Sequence, residues 1–383
     1  MTMASGVPAV ECRDLRVAYG SEQALAGLNL LVEPHEAVAV LGPSGSGKTT
    51  LLHTLAGFLQ PAAGEVRIAG RTVASAGRGL PPEKRDVAVV FQNYALWPHL
   101  TAVETVAYPL RRGGLPPAAA RRQALQLLER MGVAQLAGRR PAELSGGQQQ
   151  RVGVARALAR GPGALYLFDE PTAHLDTALR ATLQDELAQR RRATGAAAVY
   201  ATHDAPEALA VADRVALLRA GVVVQAGASR VVYEQPVDLW AARLTGPASV
   251  LRVSIHRVLR DKLVVVLGTE WLTVRGGSHD VSPGTADVLV RPEWTGLGGR
   301  LAGVVRHVSY RGPHTDYRLA TPAGEVDVRE PGPPSAGVDQ EVTWSLHRVW
   351  VVARNHEGTA TRGAGDGGPE TPRRSLKRRR QSI

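Results

Sequence analysis

Eight residues, Gly42, Pro43, Ser44, Gly45, Ser46, Gly47, Lys48 and Thr49, stand between a five-residue apolar run, Ala37 to Leu41, and a second apolar stretch from Thr50 to Gly57. The first run reads as a buried strand and the second as the opening of a helix, so the glycines must turn the chain sharply between them. Glycine-rich backbone at a helix N-terminus aims successive N–H groups into one concavity, and the helix dipole favours an anion there. Lys48 adds a positive charge to that concavity, and the hydroxyl of Thr49 is placed to coordinate a cation bridging two phosphates. The spacing commits this part of the chain to an α/β fold that binds a polyphosphate together with Mg2+.

A second apolar run, Ala164 to Phe168, ends in Asp169 and Glu170. A strand with this ending delivers two carboxylates to the carboxyl edge of a sheet, where open α/β proteins place their ligands. Asp169 suits the Mg2+ shell, and Glu170, one residue further, is available to polarise an attacking water. An acidic pair after a strand also serves as a simple cap, so the pair takes its catalytic meaning from the phosphate loop upstream.

The 383 residues, 44% of them hydrophobic, are enough for one large core and one smaller core. From Glu11 to about Arg219, the runs Ala37 to Leu41, Val87 to Phe91, Ala164 to Phe168 and Ala196 to Ala201 alternate with segments of helical periodicity, which predicts a largely parallel sheet. A helical insert from about Thr101 to Arg160 is interrupted by Gly113, Pro116, Pro117 and Pro141. Beyond Pro236 the texture changes to short β-type runs, including Leu263 to Leu267, Asp287 to Val290 and Val342 to Leu346, which predict a small all-β barrel or sandwich. The expected division is a nucleotide-binding domain over 1–240 with a helical subdomain at about 93–160, a β-barrel domain over 245–356, and a disordered basic tail over 357–383.

The net charge of +11 favours an anionic partner, nucleic acid included, but much of the excess falls on Arg373, Arg374, Lys377, Arg378, Arg379 and Arg380 in the tail. Only four of the 46 basic residues are lysines, a skew that looks like base-composition pressure rather than a binding code, and no nucleic-acid partner is expected. A lone cysteine, Cys12, excludes an intramolecular disulfide framework. No stretch reaches the roughly 18 apolar residues of a membrane-spanning helix, so a soluble, cytoplasmic polypeptide is expected.

Leu144, Ser145, Gly146, Gly147 and Gln148, followed by Gln149, Gln150 and Arg151, precede an apolar helix and stand upstream of the acidic strand. Ser145 can cap that helix and leave the amides of Gly146 and Gly147 exposed as a second anion site. In this order the phosphate loop, the Ser-Gly-Gly-Gln segment and the acidic strand resemble the motifs of ABC ATPases, from about Val10 to Thr245. The resemblance implies an aromatic on adenine at Tyr19, a Q-loop glutamine contacting Mg2+ at Gln92, a D-loop aspartate at Asp176, and a switch histidine on the γ-phosphate at His203. With Glu170 as base, the resemblance implies ATP as the nucleotide, held by 42–50, Thr50 included, and by Ser145, Gly146, Gly147 and Gln148. His174 stands where the family has small or polar residues.

In this family the signature of one subunit completes the phosphate loop of the other. A head-to-tail homodimer is therefore implied, docked at the cytoplasmic face of the membrane on a separate permease that is fed by an extracytoplasmic solute-binding protein. The segment Gln92 to Leu100, with Tyr94, Leu96 and Trp97, resembles the region that receives a permease helix. The runs Leu289 to Glu293, Val305 to Gly312 and Val338 to Val352 resemble TOBE-type barrels of importer ATPases. The turn Tyr310 to Tyr317 points toward the iron and polyamine group, although His314, Asp316 and Tyr317 also read as ordinary turn residues. The competing readings are a thiamine, sulfate, molybdate, phosphonate or sugar importer, a soluble ABC ATPase acting on nucleic acid, and a nucleotide sensor without turnover.

Overall fold

The computed structural model describes residues 7–352 apart from 92–93, 160–162, 164, 171–184, 186–187, 190–191 and 278–280. Gln92, His174, Asp176 and the 357–383 tail lie outside the described residues.

The first unit runs β1 (Val10–Tyr19), β2 (Glu22–Val32), β3 (Ala37–Leu41), α1 (Lys48–Ala56), β4 (Ala63–Ile68), β5 (Arg71–Ser75), β6 (Arg78–Gly79) and β7 (Val87–Val90). It continues through α2 (Ala102–Arg112), α3 (Pro117–Arg130), α4 (Gly146–Ala159), β8 (Leu165–Asp169), β9 (Ala197–Thr202), α5 (Ala205–Val211), β10 (Arg214–Arg219), β11 (Val222–Ala228), α6 (Ser229–Glu234) and α7 (Leu239–Thr245). One sheet has the order β11-β10-β3-β9-β8-β7 and is parallel except for the β10–β11 hairpin. A second sheet, β2-β1-β4-β5-β6, is antiparallel.

The continuous apolar runs of the parallel strands follow from burial on both faces. Along β3, Ala37, Ala39 and Leu41 face one core while Val38 and Val40 face the other. The same alternation divides Tyr166 and Phe168 from Leu165 and Leu167 on β8. One core is shared with α2, α3 and α4. The other is closed by α1 and the antiparallel sheet. Thr101 starts α2 with a capping box in which its hydroxyl and the Glu104 carboxylate satisfy each other's backbone N–H groups.

The second unit holds β12 (Ser249–Val258), β13 (Lys262–Leu267), β14 (Glu270–Arg275), β15 (Gly284–Val290), β16 (Thr295–Tyr310), β17 (His314–Thr321), β18 (Gly324–Pro331), β19 (Glu341–Leu346) and β20 (Trp350–Val351). They form two antiparallel sheets, β14-β13-β12-β15-β20 and β18-β17-β16-β19, enclosing a core that includes Trp344, Tyr317 and Val265. At the Tyr310–Tyr317 turn, Tyr317 is fully buried and Asp316 pairs with Arg329 at 2.7 Å, which makes these turn residues part of the barrel's own structure.

A fully buried arginine joins the two units. The Arg291 guanidinium donates to the carbonyls of Ala242 (2.8 Å), Gly246 (3.0 Å), Pro247 (2.9 Å) and Tyr233 (2.9 Å) and to the Thr245 hydroxyl (2.9 Å). Burial holds it below the usual arginine range, since no carboxylate is among these acceptors. Around it, Arg348 reaches Glu234 at 3.0 Å and the Trp350 indole donates to Pro236 O at 3.1 Å. Arg291→Ala strands several of these carbonyls and is expected to cost roughly 3 kcal/mol or more. Denaturant unfolding of the full chain should report that loss, and limited proteolysis should show new cleavage near Gly246. An unchanged midpoint would refute this role.

Candidate functional site

The carboxyl ends of β3, β8 and β9 bring the sequence motifs to one edge of the parallel sheet. Beyond β3 the chain turns through the phosphate loop, with Gly45 at φ +78° and Gly47 at φ +105°. Glycine is required twice. A Cβ at Gly47 would stand 2.5 Å from Ala24 O, and one at Gly42 would stand 2.5 Å from Leu218 O. The loop is held from beneath, where Gly221 N donates to Ser46 O at 3.0 Å. Pro43, Ser44, Gly45 and Thr49 face solvent, while Ser46, Lys48 and Thr50 are buried.

Lys48 folds over this loop and donates to Gly42 O at 2.8 Å and Pro43 O at 3.0 Å. Burial holds its ammonium below the usual lysine range, while the nearby charges of Glu170 and Asp169 act in the opposite sense. The Thr49 hydroxyl donates to Asp169 Oδ1 at 3.3 Å. Burial raises the Asp169 carboxyl above the usual aspartate range, and the bond from Thr49 opposes the shift. The buried hydroxyl of Ser46 has no hydrogen-bond partner among the described residues. A hydroxyl and a carboxylate 3.3 Å apart, both hard oxygen donors, fit Mg2+, which favours carboxylates together with substrate phosphates.

Glu170 follows the last residue of β8 in a left-handed conformation, φ +48°, with its N–H bonded to Ala201 O at 2.9 Å. This uncommon backbone turns its side chain toward the end of β9, where Glu170 Oε1 lies 2.8 Å from His203 Nδ1. The His203 side chain is 60% exposed and open to an incoming group.

Ser145 caps α4 reciprocally with Gln148. The Ser145 N–H donates to Gln148 Oε1 at 2.9 Å, and Gln148 N donates to Ser145 Oγ at 3.4 Å. Gly146 is exposed at the first turn of α4 and Gly147 is half-buried. Tyr19, at the end of β1, is 51% exposed. The single thiol, Cys12, is buried and pushed up to about 12, so it is a poor nucleophile.

A groove of about 780 Å³ opens between the parallel sheet and α2, lined by Phe58, Phe91, Trp97, Tyr108, Arg112 and Arg156 among others. Trp97 and Tyr108 pack with ring centroids 4.9 Å apart, and the Arg156 guanidinium lies 5.3 Å from the Trp97 ring centre. Leu96 instead packs against the helical core.

Sequence reasoning missed the support behind His203. Thr202 and Glu207 are buried next to it and hydrogen-bonded to each other. Asp204, an N-cap residue directly after His203 and before the helix-opening Ala205-Pro206, was the available signal.

A family model described as ABC transporter matches residues 25–173, and a TOBE domain model matches residues 288–352. The Fe(3+) ions import ATP-binding protein FbpC of Agrobacterium fabrum is 41% identical over 315 residues, spanning 81% of this chain and 87% of that protein. The spermidine/putrescine import ATP-binding protein PotA of Methylococcus capsulatus is 42% identical over 313 residues, spanning 80% of each. A solved dimeric ATP-binding cassette, in a post-hydrolysis state with ADP and Pi, aligns with a TM-score of 0.53 at 32% identity, covering 58% of this chain and 99% of that one. Similarity of this degree over four fifths of its length places the chain in the ABC transporter family, whose ATPase fold and TOBE domain it carries.

Proposed function

We propose that the chain is the ATP-hydrolysing subunit of an importer, working as a head-to-tail dimer on a membrane permease that receives solute from an extracytoplasmic binding protein. The observation that carries the reading is the Glu170–His203 contact of 2.8 Å, at the same sheet edge as Lys48 and the Thr49–Asp169 pair.

In this reading the amides of the phosphate loop and Lys48 hold the β and γ phosphates of ATP. Thr49 and Asp169, with Gln92, are the residues that would hold Mg2+, which supplies neutralisation of phosphate charge. Glu170 accepts a proton from the attacking water as it approaches the γ-phosphorus, and His203 orients Glu170 and contacts the γ-phosphate. Tyr19 stacks on adenine. Ser145, Gly146, Gly147, Gln148 and Asp176 serve the partner's nucleotide. Gly146 is compatible with that division of labour, since a Cβ there would meet no atom within 4 Å beyond its chain neighbours and its own helix backbone.

The groove beside Trp97 and Tyr108 suits an apolar helix of the permease, with Arg112 and Arg156 at its walls. Residues 101–159 carry nine arginines against three glutamates, a positive surface compatible with the cytoplasmic face of a membrane. Among the described residues no helix is long and apolar enough to cross a membrane. Ferric iron or a polyamine is the proposed cargo, on the strength of the FbpC and PotA relatives. Uptake assays with each solute, in cells with and without the gene for this chain, decide between them and the other small-solute importers.

Glu170→Gln should retain ATP binding and lower kcat by about a hundredfold or more, because an amide cannot accept the proton. Lys48→Ala should instead weaken nucleotide affinity itself. Equal turnover of Glu170→Gln and the native chain would overturn the catalytic assignment. For docking, Trp97→Glu is expected to leave the melting temperature and basal ATPase activity close to native while removing stimulation by reconstituted permease. Normal stimulation of a folded Trp97→Glu chain places the docking surface elsewhere.

A further inference from the structure

Glu207 is a carboxylate at 6% exposure for which the hydrolytic reading has no chemical use, although it stands four residues from His203. The Thr202 hydroxyl, at the last residue of β9 and 1% exposed, donates to Glu207 Oε2 at 2.6 Å. The same hydroxyl oxygen accepts from Asp204 N at 3.0 Å. Asp204 Oδ1 in turn accepts from Glu207 N at 2.9 Å, which caps the first turn of α5. His203 is the one residue between Thr202 and Asp204, so this closed ring of three bonds fixes the chain on both sides of it.

We infer that Thr202 and Glu207 are positioning residues that clamp the backbone around His203, holding an exposed side chain where its Nδ1 meets Glu170. The inference rests on the assignment of His203 to the reacting phosphate and deepens it. An exposed imidazole on a strand-to-helix turn otherwise samples several rotamers. Fixing its backbone at both neighbours narrows the arc over which Nδ1 can stray from Glu170 Oε1. The three bonds of the ring join Thr202, Asp204 and Glu207 to one another and involve neither Tyr19 nor Lys48, so their loss is expected to act on turnover more than on nucleotide affinity. The chemistry demands an acceptor at 207 and a hydroxyl at 202. It demands no charge, because the Thr202 proton needs only an oxygen.

The test is a substitution series in the full-length chain, with steady-state ATPase, fluorescent-nucleotide binding and a thermal melt for each variant. Thr202→Val keeps the shape and removes the hydroxyl, and is expected to lower kcat by about tenfold or more with the dissociation constant for ATP within about twofold of native. Thr202→Ser and Glu207→Gln, which keep the ring, should restore most of kcat, whereas Glu207→Leu should resemble Thr202→Val. His203→Ala is the control for the underlying reading. If His203→Ala turns over normally, the assignment of His203 itself fails. If His203→Ala is inactive while Thr202→Val has native kcat, the clamp fails and the assignment stands. A loss of kcat in Thr202→Val that comes with an equal loss of affinity, and that Thr202→Ser does not repair, shows a purely structural role and overturns the proposal.

Discussion

Strand β3 is hydrogen-bonded on one edge to β9 and on the other to β10, and its five residues are buried on both faces. A strand held in this way cannot shift register without moving two cores at once, because a slip by one residue exchanges Val38 and Val40 for their alanine and leucine neighbours. Its carboxyl end is therefore a fixed point, and the phosphate loop hangs from it. The loop has no slack either: carbonyls of Ala24 and Leu218 stand where side chains at 47 and 42 would go. The ends of β8 and β9 are placed by the same ladder, so the positions of Asp169, Glu170 and His203 relative to Lys48 derive from backbone pairing within one sheet.

The electrostatics of the site are compatible with the ligands proposed for that rigid frame. Burial disfavours the charged form of Lys48 and of Asp169 alike, and the partners present are two carbonyls for one and a threonine hydroxyl for the other. A polyanion next to Lys48 and a divalent cation next to Asp169 would each reverse the penalty, so binding recovers free energy that folding leaves uncompensated. The unpartnered Ser46 hydroxyl belongs to the same pattern. Arg291 marks the contrast. It is more deeply buried still, yet its two terminal nitrogens meet five acceptors from its own chain, and only Nε lacks a hydrogen-bond partner among the described residues.

These differences explain what could be read from the sequence. The phosphate loop, the acidic strand and the Ser145 cap were legible because each depends on local backbone geometry and on residues adjacent in the chain. Strand limits moved by a residue or so: Asp169 closes β8, and Thr202 closes β9. The antiparallel sheet β2-β1-β4-β5-β6 was not anticipated. Its strands β1 and β2 are interrupted by register shifts at Cys12/Leu15 and Val17/Ala18, which blur the period-two pattern that reveals a strand. Arg85 and Arg291, buried cations that bond to carbonyls of distant segments, were equally invisible, since composition suggests solvent-facing arginines and only the tertiary fold supplies their acceptors.

The glycine at 146 separates what one chain needs from what its site needs. Glycine within a helix gives up helix propensity relative to alanine, by up to about 1 kcal/mol in the interior and less at the first position, where Gly146 stands. At positions 42 and 47 the fold leaves no alternative. At 146 the backbone is helical and a Cβ would meet no atom within 4 Å beyond its chain neighbours and its own helix backbone, so packing against the described residues does not require the glycine. The reciprocal Ser145–Gln148 cap shows that the helix start is otherwise optimised, which makes a merely tolerated defect a poor account of the glycine. A bare backbone beside a capped helix N-terminus is suited to a group that approaches from outside, and the anion preference of such a terminus makes a phosphate the natural visitor. The open face of the phosphate loop, with Ser44, Gly45 and the His203 ring in solvent, is the complementary half of that contact. One surface open to a group from outside and one suited to reaching into another chain's site are what the proposed two-fold dimer would require of each chain.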